Sequence, residues 1–198
     1  MNSWDQELNK TYQALHKELS DNPEAKSALL KSETEWIKFR DLEYKLIDRA
    51  YKNAKPETDP GVDVLASKLD VVETRARELQ FYRENKVNNP GRSTPIDRKV
   101  GACLEAHVDQ PGQKLCIGDG IEDWKSDLAS QATTLASKFR PASTAAQAQW
   151  SKFRDAENAF IASRYHDSET SSQELAAYMS VFRDRAVQLA TRNSIRFK

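Results

Sequence analysis

A chain of 198 residues that sets thirty Lys and Arg against thirty Asp and Glu has no net charge, which removes the basic footprint that nucleic-acid binding needs. Charged residues make up 30% and the apolar set 38%, enough for packed amphipathic helices and polar enough for thin bundles with much exposed surface. No run approaches the roughly 18 consecutive apolar residues of a membrane span, and the prolines fall between periodic segments, as in long helices with short punctuation.

Ser3 opens the first predicted helix, with Gln6 as its capping-box partner, and Trp4, Leu8, Tyr12, Leu15 and Leu19 recur every three or four positions. Asn22-Pro23 puts a cap before a proline at the first helical position, and the next pattern runs without a breaker to about Asn53. At 1.5 Å per residue this is a rod of roughly 45 Å, so part of it must be exposed or shared. It carries EWIKFRDLEYKLIDR, Glu35 to Arg49. Trp36, Phe39, Arg40 and Glu43 fall in one helical sector, which gives one face an aromatic anchor and an Arg–Glu pair three residues apart. Thr58-Asp59-Pro60 repeats the cap-then-proline signal, and a third helix follows with Leu65, Leu69, Val72, Ala76 and Leu79 on one face.

Asn88-Asn89-Pro90-Gly91 then marks a loop in which, with the residues up to Val100, Lys86, Arg92, Arg98 and Lys99 outnumber the acids. The segment reads as a mobile linker or as a basic protrusion presented to an acidic partner. Thr94-Pro95 can start a short helix through Leu104 and Ala106. Cys103 and Cys116 could be two buried thiols; a disulfide is the better reading, because Gln110-Pro111-Gly112 supplies a turn between them. So short a closed loop stabilises by roughly 3 kcal/mol and implies an oxidising compartment. Met1 leads directly into a helical pattern, so no signal peptide is visible: either a leader has been removed or the protein is cytosolic.

The second half answers the first. QWSKFRDAENAFIASR, Gln149 to Arg164, places Trp150, Phe153, Arg154, Asp155 and Glu157 at 114 positions after Trp36, Phe39, Arg40, Asp41 and Glu43. Leu175, Met179, Phe182, Arg185, Ala186 and Leu189 stand 110 after the third-helix residues and Arg75, while Trp124, Leu128 and Leu135 stand 120 after Trp4, Leu8 and Leu15. The expected fold is all-α: tandem three-helix units of long antiparallel helices over 1–85 and 118–198, joined by 86–117 with its basic linker, short helix and disulfide turn.

Glu43 and Glu157 could face each other as an acid–base carboxylate pair, but an Arg three residues before each would hold it ionised. None of His16, His107 and His166 has metal-ligand spacing, and no nucleophile elbow, phosphate loop or dinucleotide fingerprint occurs. No catalytic residue, metal ligand or cofactor is therefore expected, and the chain does not read as an enzyme. Trp36, Arg40, Glu43, Arg75, Trp150, Arg154, Glu157 and Arg185 read instead as a structural clamp, a buried polar network that fixes helix register. The four tryptophans read as core anchors rather than sugar-stacking platforms.

With WDQELNKTYQAL at Trp4 to Leu15, WIKFRDLE at Trp36 to Glu43, TRARELQ at Thr74 to Gln80 and second copies that include CIGDGIEDWKSDL from Cys116, the chain resembles the LprI-like lysozyme-inhibitor family of small secreted bacterial helical proteins. It departs from a strict tandem in having Ala129 and Ala132 where the first copy has Asn9 and Tyr12, and a cysteine pair only in the second. The resemblance implies export to the periplasm or beyond, an all-helical fold, no cofactor, and a protein partner. The expected function is that of a lysozyme inhibitor or immunity protein that blocks the acidic cleft of a lysozyme-like peptidoglycan hydrolase. Lys86, Arg92, Arg98 and Lys99 are the expected contacts, followed by Arg164 and His166 in the connection to Ser171. The alternative is an envelope protein–protein interaction module without inhibitory activity, working through exposed faces of its long helices.

Overall fold

Caps and prolines set the helix starts. In the computed structural model, which describes residues 3–52, 59–84, 94–165 and 171–195, the chain forms α1 (Ser3–Glu18), α2 (Pro23–Tyr51), α3 (Pro60–Glu84), α4 (Pro95–Ala106), α5 (Gln110–Phe139), α6 (Ala142–Tyr165) and α7 (Ser171–Asn193). The described residues contain no strand. Asn22 accepts from the Ala25 amide at 3.0 Å, Asp59 from the Gly61 amide at 2.8 Å, and Thr94 exchanges hydrogen bonds with Asp97 in a full capping box. Each satisfies an amide that the first helical turn would otherwise leave open.

One expected turn is a helix start. Asp109 accepts from the Gly112 amide at 3.1 Å, so Gln110-Pro111-Gly112 forms the first turn of α5, where proline has no amide bond to lose and already holds the helical φ. The chain reverses over residues 107–109 instead. The Cys103–Cys116 disulfide closes nonetheless, with Cα atoms 5.7 Å apart, and ties α4 to α5. Deeper in α5, a Cβ on Gly120 would lie 2.6 Å from Val100 and 2.9 Å from the Met179 sulfur, so the glycine lets α4 and α7 both close on this helix.

The centre of the protein is the antiparallel pair α2 and α6. Asn22 donates to the Ser163 carbonyl, Ser32 bonds Glu157, and Gln149 donates to Glu35, partners that descend along α6 as α2 ascends. Phe39 and Phe153 stack between them with centroids 6.0 Å apart. α1 lies along α3, with Arg77 over the Trp4 ring and Arg83 bonded to Glu18. α7 lies along α5, with Lys125 over Phe182 and Asn193 bonded to Gln131. A single core joins all of them: Leu15, Leu29, Leu79, Leu135, Phe160 and Leu189 are buried in one continuous cluster, as are Trp36, Trp124 and Trp150. Each such side chain contributes about 1.5–3 kcal/mol by leaving water. Trp4 is only partly buried.

The apolar face predicted for the third helix is too long at its start. Val72, Ala76 and Leu79 are buried, but Leu65 is 59% exposed. The cause is length. α1 has 16 residues against the 25 of α3, with Trp4 near its start at Arg77, so it is too short to cover the whole of α3.

The disulfide closes a loop of separation 13, so the double substitution C103S/C116S is expected to cost about 3 kcal/mol. The measurement is a fall in the urea midpoint with helical circular dichroism retained; an unchanged midpoint would contradict it.

Candidate functional site

Each middle helix carries one fully buried glutamate, and each glutamate is held by an arginine from the other half of the chain. Arg75 of α3 donates from Nη1 to Glu157 of α6 at 2.7 Å and to Glu78 at 3.0 Å, from Nε to Glu33 at 3.0 Å, and from Nη2 to Ser32 at 3.2 Å. Ser32 in turn donates to the second oxygen of Glu157. On the other side Arg185 of α7 donates to Glu43 of α2 at 2.9 Å and to Gln147 at 3.2 Å. Arg192 approaches Glu43 at 3.6 Å, too long for a hydrogen bond, and donates to the Ser67 carbonyl. Arg75 also lies 5.1 Å from the Phe153 ring and Arg185 4.9 Å from Phe39, so the two stacked rings are closed at both ends by guanidinium groups.

The two networks have the same frame and opposite charge. Gln147 and Gln188 stand where the first network has Glu33 and Glu78, and Arg192 stands where it has Tyr82. One guanidinium therefore faces three carboxylates on one side, and two guanidinium groups face one carboxylate on the other. Burial pulls Arg75 down, but Glu157, Glu33 and Glu78 outweigh it and leave its pKa well above the usual arginine value. Burial pushes the Glu78 carboxyl up to about 8, with the Glu157 charge adding to it and Arg75 opposing. Burial and the same carboxylates push the Tyr82 hydroxyl well up. Arg185 moves the other way, lowered by burial and by Arg192 against the pull of Glu43.

Arg40 and Arg154 lie outside this network. Arg40 bonds Asp41 at 2.7 Å and covers the Trp36 ring, and Arg154 does the same with Asp155 and Trp150. The expected Arg–Glu pair three residues apart does not form, because Glu43 and Glu157 point into the core while the arginines sit at its edge with their heads in water. Glu43 and Glu157 are bound in separate networks, each to a different arginine, which leaves no shared acid–base pair.

A groove opens where the acidic network meets the surface. It lies between α3, α4 and α7, encloses about 540 Å³, and has Glu78 at its inner end. Arg183 makes a bidentate pair with Asp97 at 2.7 and 3.0 Å and reaches Asp184 at 3.2 Å. Burial raises Asp184 to about 6 against the pull of Arg183. Asp97 is lowered, since its bonds from Arg183 and Thr94 outweigh its burial.

One comparison with known families finds a match in the first part of the chain. Residues 1–79 match the family model described as lysozyme inhibitor LprI. The resemblance read from Trp4 to Leu15, Trp36 to Glu43 and Thr74 to Gln80 holds over that span, which takes in α1, α2 and the Arg75 that holds Glu157. No curated protein and no solved structure matches the chain. LprI is a family of inhibitors, and no helix among the described residues is long and apolar enough to cross a membrane.

Outside the LprI span, Lys86, Arg92 and His166 lie outside the described residues. Arg98 is exposed on α4. Lys99 beside it is exposed and donates to Asp123 at 2.7 Å, a bond that raises its pKa. Arg164 is half-buried and donates to the Tyr82 carbonyl at 3.1 Å. Cys103, His107 and Cys116 bring three ligand-type atoms within 4.8 Å of one another, but with the sulfurs joined only His107 has a lone pair suited to a metal.

Two predictions follow from the charge distribution. Glu43→Ala strands two buried arginines and is expected to cost about 3–5 kcal/mol, more than Glu157→Ala, which leaves Arg75 with Glu33 and Glu78; Arg40→Ala is expected to cost under about 1 kcal/mol. Chemical denaturation of the three variants reads the ranking, and equal losses for Glu43 and Arg40 would contradict it. Glu78 keeps its proton to about pH 8 when folded but to its ordinary 4.5 when unfolded. The folded chain thus holds the extra proton between those values, so stability falls as pH rises through the window. Glu78→Gln is expected to flatten the decline, read as urea midpoints from pH 5 to 8.

Proposed function

We propose that this protein is a non-enzymatic inhibitor or immunity protein of the cell envelope, periplasmic or secreted, that binds a lysozyme-like peptidoglycan hydrolase and blocks its acidic cleft. The LprI match over residues 1–79 carries the reading. The Cys103–Cys116 disulfide agrees with an oxidising compartment. We take residues 118–198 as a second unit of the same kind, on the correspondence of Trp150, Glu157 and Arg185 with Trp36, Glu43 and Arg75.

Glycan-cleaving hydrolases work with a pair of carboxyl groups flanking the scissile bond. A cation delivered between them forms charge-assisted hydrogen bonds that strengthen as water is excluded. In this protein the connection from α3 to α4 supplies Lys86 and Arg92, and the first turns of α4 supply Arg98 and Lys99. α4 is a firm support, held by the Asp97–Arg183 pair near its start and by the disulfide near its end. A contact group that is already positioned loses less freedom on binding. Lys99 would exchange Asp123 for a carboxylate of the hydrolase, and an exposed ion pair of that kind opposes the exchange only weakly.

The test is peptidoglycan clearing by purified lysozyme and by envelope hydrolases in the presence of this protein. Inhibition at micromolar excess is expected for at least one of them, and an unchanged rate for all rejects the function. Charge reversal, R92E/R98E, is expected to weaken inhibition at least tenfold; full inhibition by that variant rejects the basic segment as the contact.

A further inference from the structure

The arginine-rich network does not balance its own charge. Arg185 and Arg192 of α7 and Glu43 of α2 are all buried, none more than 1% exposed. Glu43 receives Arg185 at 2.9 Å and lies 3.6 Å from Arg192, and among the described residues no other carboxylate pairs with either arginine. Two positive charges thus meet one negative charge, while the carboxylates around Arg75 stand beyond the Phe39–Phe153 stack. An arginine cannot shed a proton to escape this, because its guanidinium stays charged in a protein. A buried charge without a counter-ion is strongly unfavourable.

The hydrogen bonds show the same shortfall. Arg185 places Nε on Gln147 and Nη1 on Glu43, and Arg192 places Nη2 on the Ser67 carbonyl. Arg185 Nη2 and Arg192 Nε and Nη1 are buried with no acceptor among the described residues. Closing the 3.6 Å gap would serve Arg192 Nε and the equally unpartnered Oε1 of Glu43. Arg185 Nη2 and Arg192 Nη1 would still lack acceptors, and the extra positive charge would remain. Arg192 stands in the last turn of α7, where the helix dipole favours a cation, but a dipole gives Nη1 no hydrogen bond. Water would accept from the open donors and neutralise nothing. A divalent oxyanion would overshoot the charge. A monovalent anion answers both needs at once, and a bound ion is one of the few accounts that buried open donors allow. Burial and Arg192 lower the Arg185 pKa against the pull of Glu43, in keeping with the imbalance.

We propose that Arg185 and Arg192 form a buried binding site for a small monovalent inorganic anion such as chloride. The anion accepts from Arg185 Nη2 and Arg192 Nη1 and brings the cluster with Glu43 to neutrality. It strengthens the hold of α7 on α2 and α3, since Arg192 also reaches Ser67 of α3. The acid-rich network needs no such ion, because Tyr82 stands there in the place of Arg192 and Arg75 meets its own carboxylates.

Two measurements on the full chain test the site. In crystals grown with sodium bromide as the halide, anomalous density is expected in contact with both guanidinium groups; a water or no density there overturns the proposal. Urea denaturation is also followed while chloride replaces gluconate at constant ionic strength. An ion that binds only the folded chain stabilises it by mass action, so the folded-to-unfolded ratio is expected to rise about tenfold at roughly ten times the Kd. Arg192→Tyr, which installs the neutral residue of the other network, is expected to keep its helical circular dichroism and lose the chloride dependence. A dependence as large as in the parent chain overturns the proposal, and if the variant does not fold the bromide density alone decides. No hydrolase enters either measurement, so the inhibitory function stands or falls separately.

Discussion

The structure depends on a crossed exchange of charge. Glu157 of α6 is held by Arg75 of α3, and Glu43 of α2 by Arg185 of α7. Neither half can therefore be slid along the other without withdrawing buried carboxylates from their guanidinium partners, at a cost of several kcal/mol for each. An apolar contact tolerates small slips; this one does not. The Phe39–Phe153 stack between the two arginines adds a directional contact at the same point, since a guanidinium group over a desolvated ring is worth up to about 2 kcal/mol. Together they explain how two helices of 29 and 24 residues, each too long for a three-helix set to cover alone, find a fixed antiparallel register.

The same frame carries unequal charge on its two sides. Replacing Glu33 and Glu78 by Gln147 and Gln188, and Tyr82 by Arg192, converts an acid-rich network into an arginine-rich one without altering the contact that joins α2 and α6. The consequences diverge with distance from that contact. The arginine-rich side stays enclosed, with Arg185 and Arg192 at most 1% exposed. The acid-rich side reaches the surface groove through Glu78, where Arg183 holds Asp97 and Asp184. Two similar sets of buried side-chain contacts thus carry unlike charge.

Much of the frame was legible in the sequence because it rests on local signals. A cap followed by proline acts within one helical turn, so the starts of α2, α3 and α4 at Asn22-Pro23, Asp59-Pro60 and Thr94-Pro95 could be read directly. Gln110-Pro111-Gly112 was ambiguous for the same reason: the tripeptide suits a turn or a helix start, and the preceding Asp109 decides between them. The LprI-like motifs of the first half were legible because they lie on single helices. The partners of Glu43 and Glu157 were not. Spacing along a helix tests only neighbours on that helix, and it put forward Arg40 and Arg154, whereas the true partners are 142 and 82 positions away. Arg192 was missed because it matches Tyr82 in place but not in kind. The groove, shared by three helices, has no signature in any one segment.

The basic edge and the groove meet on α4. Within its twelve residues, Arg98 and Lys99 are exposed, while Val100, Gly101 and Leu104 line the groove. Occupation of one surface could influence the other only if α4 had a second position that a ligand might select, because coupling requires two states with different affinities. The restraints on α4 argue against one. The Asp97–Arg183 bidentate pair anchors its first turn to α7, the Cys103–Cys116 bond anchors its last turns to α5, and Val100 packs into the space that Gly120 leaves. With both ends fixed to different helices of one core, α4 cannot shift or rotate without breaking a covalent bond or a partly buried ion pair. While the disulfide is intact, the basic edge and the groove are thus carried on one rigid helix.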